Sequence, residues 1–303
     1  MKGWQAVLVG VVILVLLGAA GAVWMVWRRP LAVYAWQSRL ALRAAGLEQR
    51  RIPTEAGVQC AFVGGSGPPL LLLHGAGDQA GSWAKLAAPL ARSHTLIVAD
   101  LAGHGDSHPR TGPIATAQVL AGVEGVVRAL AADRKITVVG NSLGGWMAML
   151  LAHRHPEWVE RIVVIDGGAI TGSNLQARIL PRTREEAREA MRQVRDAASQ
   201  EVPDFVLDDV VRQARRGPLA RFAQTAATME AFTLDGKLAE IHTPVALIWG
   251  ESDRLMPLDY ARRMLAELPQ ATLTTLPRCG HVPQVECPEA LLAVLRPLLE
   301  ERP

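Results

Sequence analysis

From about residue 52 onward, the sequence alternates short apolar runs with longer amphipathic stretches. The short runs are rich in valine, isoleucine and leucine, which suits strands buried on both faces of a sheet. Strands that alternate with helices indicate a parallel sheet covered by helices. We therefore predict an α/β fold with a mostly parallel sheet flanked by helices. The predicted strands span 58–63, 70–73, 96–99, 136–139, 162–165, 245–249 and 272–276.

One long insertion interrupts this alternation. Between Gly167 and Gly236 no strand pattern occurs, and charged helical patterns cover 183–195, 203–216 and 218–232. An insertion at the carboxyl edge of a parallel sheet is well placed to cover a ligand site. We predict a helical lid over about 168–236, within a single domain of residues 52–303.

The residues before this domain form a long apolar stretch. No charged residue occurs from Trp4 to Trp27, and a helix of that length spans roughly 36 Å, enough to cross a hydrocarbon core. Tryptophans at both ends are typical of the two membrane–water interfaces. We predict one transmembrane helix over 4–27. The alternative is a cleaved signal peptide, since Lys2 precedes the apolar run and 20–22 is a small-residue site.

Residues 28–51 are predicted to join the membrane helix to the domain. Leucines and a tyrosine alternate here with arginines, as on an amphipathic helix lying along lipid headgroups, and a solvated helical linker is the alternative. Positive charges after the apolar run outnumber Lys2 and the amino terminus before it. The positive-inside rule therefore predicts a single-pass protein of the cell membrane whose domain faces the cytoplasm.

Charge and cysteine content limit the possible partners. The net charge is only +3, and arginines concentrate near the apolar run and between 178 and 221, so we expect no nucleic-acid partner. The arginines of 178–195 are interpreted as a solvated lid face, with lipid contact as the alternative. Cys60, Cys279 and Cys287 lack the spacing of a disulfide framework or a metal knuckle, so we expect reduced cysteines and no metal site. No pattern indicates the oligomeric state.

A serine follows the fourth predicted strand in the pentapeptide Gly140-Asn141-Ser142-Leu143-Gly144. A helical pattern begins directly after it, so this is the strand–turn–helix context of a nucleophile elbow. Side chains at both glycine positions would collide with neighbouring backbone in so tight a turn. The context predicts Ser142 as a nucleophile exposed above the sheet.

A nucleophilic serine requires a base, and the base requires an acid that orients it. His281 follows the last predicted strand, at the edge of the sheet where Ser142 lies, and is the predicted base. Asp253 follows the strand 245–249 and is the predicted acid. Asp166, at the end of the preceding strand, is the second choice and Glu251 the third.

Backbone N–H groups near Ser142 are the expected oxyanion donors. Leu143 begins the helix after the serine, where the helix dipole favours an anion. Ala76 lies in the loop that follows the strand 70–73 and supplies the second donor. His74 in the same loop is expected to shape the loop and to take no part in the chemistry.

These motifs, together with the segment 100–107, resemble an α/β-hydrolase from residue 58 onward. The apolar helix, Trp249-Gly250 before the acid and the lid segment 181–191 resemble the membrane-anchored monoacylglycerol lipase branch. The resemblance implies hydrolysis of carboxylic esters without a metal or organic cofactor, with Ser142, Asp253 and His281 at the triad positions.

A second resemblance concerns the substrate class. Asn141 before the serine departs from the lipase pattern and, with 279–281, resembles hydrolases that cleave carbon–carbon bonds in ring-fission products. The leading expectation is an esterase or lipase acting on lipid-derived acyl esters. Carbon–carbon bond hydrolysis and an inactive membrane-tethered scaffold are the alternatives.

Overall fold

A computed structural model describes residues 3–131, 133–172 and 179–300. Part of the predicted lid, 173–178, lies outside the described residues, as do the last three residues of the predicted domain. The statements below concern the described residues.

A single eight-stranded sheet forms the centre of the domain, with strand order β1-β2-β4-β3-β5-β6-β7-β8. Its strands are β1 Glu48–Thr54, β2 Gly57–Gly65, β3 Pro69–Leu73, β4 Thr95–Asp100, β5 Ile136–Asn141, β6 Val159–Ile165, β7 Val245–Gly250 and β8 Thr272–Leu276. Strand β2 runs antiparallel to β1 and β4, and the remaining pairs are parallel. The carboxyl ends of β3 to β8 therefore meet at one edge of the sheet.

Helices cover both faces of this sheet. The α-helices of the described residues are α1 Gly3–Arg28, α2 Pro30–Ala44, α3 Ala84–Leu90, α4 Thr116–Leu130, α5 Leu143–Arg154, α6 Arg184–Val194, α7 Asp204–Arg216, α8 Pro218–Ala223, α9 Leu258–Glu267, α10 Pro283–Glu286 and α11 Pro288–Glu300. Alternate strand residues enter two cores. One core includes side chains of α4, α5 and α9, and the other includes side chains of α2, α3 and α11. The predicted fold class is confirmed.

Strand β1 was not predicted from the sequence. Its residues read Glu-Gln-Arg-Arg-Ile-Pro-Thr, and only Ile52 among them is buried. The strand lies at the edge of the sheet, where charged residues and a proline are tolerated because one side has no partner strand. An edge strand of this kind carries too little apolar alternation to be seen in sequence.

Helix α1 is apolar throughout and exposed, and within the described residues it is the one helix long and apolar enough to cross a membrane. Helix α2 starts after a single intervening residue, Arg29. The side chain of Leu42 in α2 is fully buried in the core of the domain. Residues 30–44 therefore pack on the domain through Ser38 and Leu42, whereas Tyr34, Trp36 and Leu40 of the same helix remain exposed.

Arg39 strengthens this docking of α2. Its guanidinium donates to Asp106 at 2.8 Å and to Asp100 at 3.3 Å, and its Nε donates to Gln79 at 3.2 Å. The side chain of Asp100 is completely buried, so Arg39 supplies the positive charge that this carboxylate requires. Removal of α2 would leave Asp100 buried without its counter-ion.

The lid insertion is the chain between β6 and β7, and it holds α6, α7 and α8. Arg221 of α8 donates to the backbone carbonyls of Gly103, Pro109 and Gly112, which fixes the insertion to the loop after β4. Trp146 at the start of α5 donates to the Phe232 carbonyl at 2.9 Å. The insertion therefore lies over the carboxyl edge of the sheet.

Candidate active site

Ser142 lies between β5 and α5 in a backbone conformation that non-glycine residues rarely adopt, with φ 54° and ψ −116°. A Cβ at Gly140 would lie 2.2 Å from the Gly144 carbonyl oxygen, and one at Gly144 would lie 2.3 Å from the Leu73 oxygen. Both glycines are therefore required by the close approach of the backbone. The tight turn holds the partly exposed Ser142 at the carboxyl edge of the sheet.

His281 and Asp253 meet at the same edge. The Nδ1 atom of His281 lies 2.7 Å from Oδ2 of Asp253, and both side chains are buried. The other oxygen of Asp253 accepts the backbone N–H groups of Leu255 and Met256 at 2.8 and 2.9 Å. Three contacts fix the carboxylate, so Asp253 holds the imidazole with Nδ1 as the protonated nitrogen. That tautomer leaves Nε2 free to accept a proton.

The link between His281 and the elbow runs through Asn141. Its amide nitrogen donates to the carbonyl of His281 at 2.8 Å, and its amide oxygen accepts from Gln284 at 3.0 Å. Within the described residues no hydrogen bond joins the Ser142 hydroxyl to the His281 ring. Asn141, adjacent to Ser142, therefore fixes the histidine backbone relative to the serine. Sequence reasoning noted Asn141 only as a departure from a pattern and did not identify Gln284.

Neither of the two alternative acids, both among the described residues, forms a hydrogen bond or ion pair with His281. Asp166 follows β6 with φ 44°, and one of its carboxylate oxygens accepts the Gly250 N–H at 2.8 Å. Burial, with the nearby Asp253 carboxylate as the second cause, raises the pKa of Asp166 well above its usual value and favours the protonated acid. Glu251 is exposed and accepts from the Thr275 hydroxyl at 2.8 Å. The geometry therefore favours Asp253 as the partner of the histidine.

The loop that carries Ala76 lies against the elbow. A Cβ at the adjacent Gly75 would lie 3.2 Å from Cβ of Ser142, so the two backbones are close. Leu143 is the first residue of α5, where backbone N–H groups lack partners inside the helix. Both predicted oxyanion donors thus belong to segments next to the serine.

His74 fixes the shape of this loop. Its Nδ1 contacts the Gly75 carbonyl at 2.7 Å, and its Nε2 accepts the Leu101 N–H at 3.0 Å, which requires the neutral ring. Burial lowers its pKa to about 4 and is also the main cause that lowers the pKa of His104 to about 3. Neutral, fully bonded His74 is a structural group, as its position in the sequence predicted.

The cysteine prediction was wrong for two of the three residues. Cys279 and Cys287 form a disulfide that closes the loop containing His281, whereas Cys60 is free and buried. The separation of eight residues matches no recurrent motif, so only the tertiary structure shows that the two side chains meet. Among the described residues, no group of three or more His, Cys, Asp or Glu side chains is arranged to hold a metal ion.

Comparison with known proteins gives relatives of several activities. Residues 70–294 match the model of the alpha/beta hydrolase family. A 2-hydroxy-6-oxononadienedioate/2-hydroxy-6-oxononatrienedioate hydrolase of Cupriavidus pinatubonensis is 31% identical over 255 residues, covering 77% of this chain and 87% of that protein. A 2-hydroxy-6-oxo-6-phenylhexa-2,4-dienoate hydrolase of Burkholderia cepacia is 28% identical, and the match covers 75% of this chain and 85% of that protein.

One solved structure is similar over nearly the entire chain. A membrane phospholipase A, described as a bacterial virulence factor, superimposes with a TM-score of 0.78 at 27% identity, covering 98% of each chain. The similarity therefore includes the region of α1 and α2, which lies outside the matched part of the family model.

Proposed function

The chain belongs to the alpha/beta hydrolase family, and from this premise we propose that it is a serine hydrolase that cleaves carboxylic esters of lipid origin, such as monoacylglycerols. The observation that supports the chemistry best is the buried pair of His281 and Asp253 at the sheet edge that also carries Ser142. Nucleophile, acid and base follow one another in the chain in the order typical of this fold.

In the proposed reaction the Ser142 hydroxyl attacks the ester carbonyl while Nε2 of His281 takes its proton. The Asp253 carboxylate, bonded to Nδ1, stabilises the imidazolium that forms. The N–H groups of Ala76 and Leu143 receive the negative charge on the carbonyl oxygen. The imidazolium then protonates the departing alcohol, and water activated by the same histidine releases the acid from the acyl-enzyme.

The lipid character of the substrate rests on two observations. Helix α1 is long, apolar and exposed, which suits a membrane anchor. The membrane phospholipase A is similar over 98% of the chain, including this helix. An ester delivered from a bilayer therefore fits the molecule better than a small water-soluble acid.

Carbon–carbon bond hydrolysis is the second candidate. It is supported by the 31% identity to the ring-fission product hydrolase of Cupriavidus pinatubonensis and by Asn141 before the serine. That similarity covers 77% of this chain, less than the phospholipase similarity does. An inactive scaffold is the third, and the intact His281–Asp253 pair opposes it.

We propose that the domain lies outside the cytoplasm, opposite to the expectation from charge. The arginines after the apolar run exceed Lys2 and the amino terminus before it only modestly, and two of these arginines, Arg39 and Arg43, bind groups of the domain itself. The disulfide between Cys279 and Cys287 then favours an oxidising compartment.

Labelling and substrate screening test the activity. The purified protein is treated with a fluorophosphonate and assayed on acyl esters of graded chain length and on a ring-fission dienoate. We expect covalent labelling at Ser142, loss of labelling and turnover in Ser142→Ala, and a preference for long acyl chains. Turnover of the dienoate alone would favour the second candidate, and an unlabelled, inactive protein would favour the scaffold.

Thiol labelling in intact cells tests the orientation. Lys135→Cys introduces a thiol at an exposed residue far along the chain from the disulfide. A membrane-impermeant maleimide should label it without permeabilisation if the domain lies outside the cytoplasm. Labelling only after permeabilisation would restore the cytoplasmic orientation.

A further inference from the structure

The loop that carries His281 is held from the side opposite the elbow by Glu286, a residue that neither the sequence patterns nor the proposed mechanism uses. Glu286 ends α10, next to Cys287 of the disulfide. Its Oε2 accepts the N–H of Gly280 at 2.6 Å. The carboxylate thus binds the backbone directly before the predicted base.

The second oxygen of Glu286 contacts the lid insertion. Its Oε1 accepts the N–H of Asp196 at 2.9 Å and also the hydroxyl of Ser199. Both residues follow α6 in a segment, 193–199, that we call the lid base. A single carboxylate therefore connects the base of the lid with the histidine loop.

The lid base also contacts both predicted catalytic loops directly. The Val194 carbonyl accepts the His281 N–H at 2.9 Å, and the Gln193 carbonyl accepts the Arg254 N–H at 3.0 Å, next to Asp253. The approach is so close that a Cβ at Gly280 would lie 2.4 Å from the Val194 oxygen. The acid and the base are therefore both aligned against the same short stretch of the lid.

We propose that Glu286 is a positioning residue for His281, acting through the Gly280 backbone and tying the catalytic loop to the lid base. This inference rests on the proposed function, since it assumes that His281 is the base. Because the carboxylate accepts from the loop with one oxygen and from the lid with the other, a displaced lid base withdraws support from the histidine. The position of the lid base and the alignment of His281 therefore depend on each other.

The test compares Glu286→Ala, Glu286→Gln and Ser199→Ala with the control Glu289→Ala, an exposed glutamate at the start of α11. Steady-state kinetics on a short p-nitrophenyl ester and the rate of fluorophosphonate labelling are measured on the full chain in detergent, after thermal unfolding has shown each variant to be folded. A wild-type protein that is not labelled at Ser142 would refute the proposed function itself, before any variant is compared.

We expect Glu286→Ala to lower kcat and the labelling rate by roughly tenfold to a hundredfold, because small displacements of a catalytic group have costs of this size. The KM should stay within about threefold, since the Glu286 carboxylate is bonded to the histidine loop and to the lid base. Glu286→Gln retains one oxygen acceptor and should recover part of the rate. Ser199→Ala removes only the lid-side hydroxyl and should have an intermediate effect.

Three results would overturn the proposal. The first is a kcat for Glu286→Ala within twofold of the wild-type value. The second is an equal loss in Glu289→Ala, which would indicate a general effect of charge in this region. The third applies if Glu286→Ala fails to fold: unchanged kcat and labelling rates in both Glu286→Gln and Ser199→Ala would then overturn the proposal.

Discussion

The two buried aspartates beside the active site allow the sharpest prediction. In Asp253→Asn the amide oxygen is expected to keep the position that accepts the Leu255 and Met256 N–H groups, because those two donors need an acceptor. The amide NH2 group then faces the Nδ1–H group of His281, and two hydrogen-bond donors cannot bond to each other. The ring must change to the tautomer with hydrogen on Nε2, which cannot accept the serine proton.

The expected loss in kcat for Asp253→Asn is about ten-thousandfold, the size seen when a triad acid is replaced by its amide. This corresponds to roughly 5 kcal/mol of transition-state stabilisation. Asp166→Asn should behave differently. Its amide oxygen still accepts the Gly250 N–H, and its amide nitrogen replaces the protonated oxygen that burial and Asp253 favour. We expect a change of about threefold or less.

The assay is hydrolysis of a short p-nitrophenyl ester, with active enzyme counted by fluorophosphonate titration. Glu251→Gln serves as the control, because this residue is exposed and its carboxylate accepts from the Thr275 hydroxyl. If Asp166→Asn were the more damaging variant while remaining folded, the acid would be Asp166 and the reasoning from the His281 contact would be refuted.

Three further predictions follow from the structure. Deletion of residues 1–29 should release the protein from membranes, as measured by fractionation, and leave turnover of soluble esters within about twofold. Arg39→Met should lower the unfolding free energy by about 3 kcal/mol, because the buried Asp100 loses its counter-ion. Urea unfolding measures this change, and an unchanged urea midpoint in Arg39→Met would contradict the prediction. Stability should also fall as pH decreases from about 6.5 to 4, because the unfolded chain gains protons on His74 and His104 before the folded chain does, their folded pKa values being lowered to about 4 and about 3. Urea midpoints across this range should fall less steeply in His74→Gln, and equal slopes would contradict the assignment.

Sequence patterns were sufficient for seven of the eight strands and for the residues of the elbow. The buried strands are short apolar runs bounded by turn residues, and the position of a serine between such a run and a helix restricts its conformation. Chain order alone then limited the base and acid to a few candidates, of which His281 and Asp253 form the observed pair.

The features that sequence did not predict depend on distant residues meeting in space. Asn141 and Gln284 are far apart in the chain, and their contact is a property of the folded sheet edge. The same holds for Glu286 and the lid base and for the burial of α2 against the domain. In α2 the apolar side chains divide, since Leu42 is buried while Tyr34, Trp36 and Leu40 are exposed, and periodicity does not tell which of them meets the protein's own core.

The junction between α1 and α2 restricts how the molecule moves. A single residue separates the two helices, and Asp209 of α7 accepts the N–H of Leu31 at 3.1 Å, while Trp27 packs on Phe205 with ring centroids 5.0 Å apart. A domain on a long flexible tether samples every orientation above a surface, and few of its encounters are productive. With α1 in a bilayer, this domain would instead diffuse laterally with one fixed side toward the lipid, so its search for substrate would become two-dimensional. Inserting a few glycines after Arg29 would restore free rotation without altering a single residue of the active site.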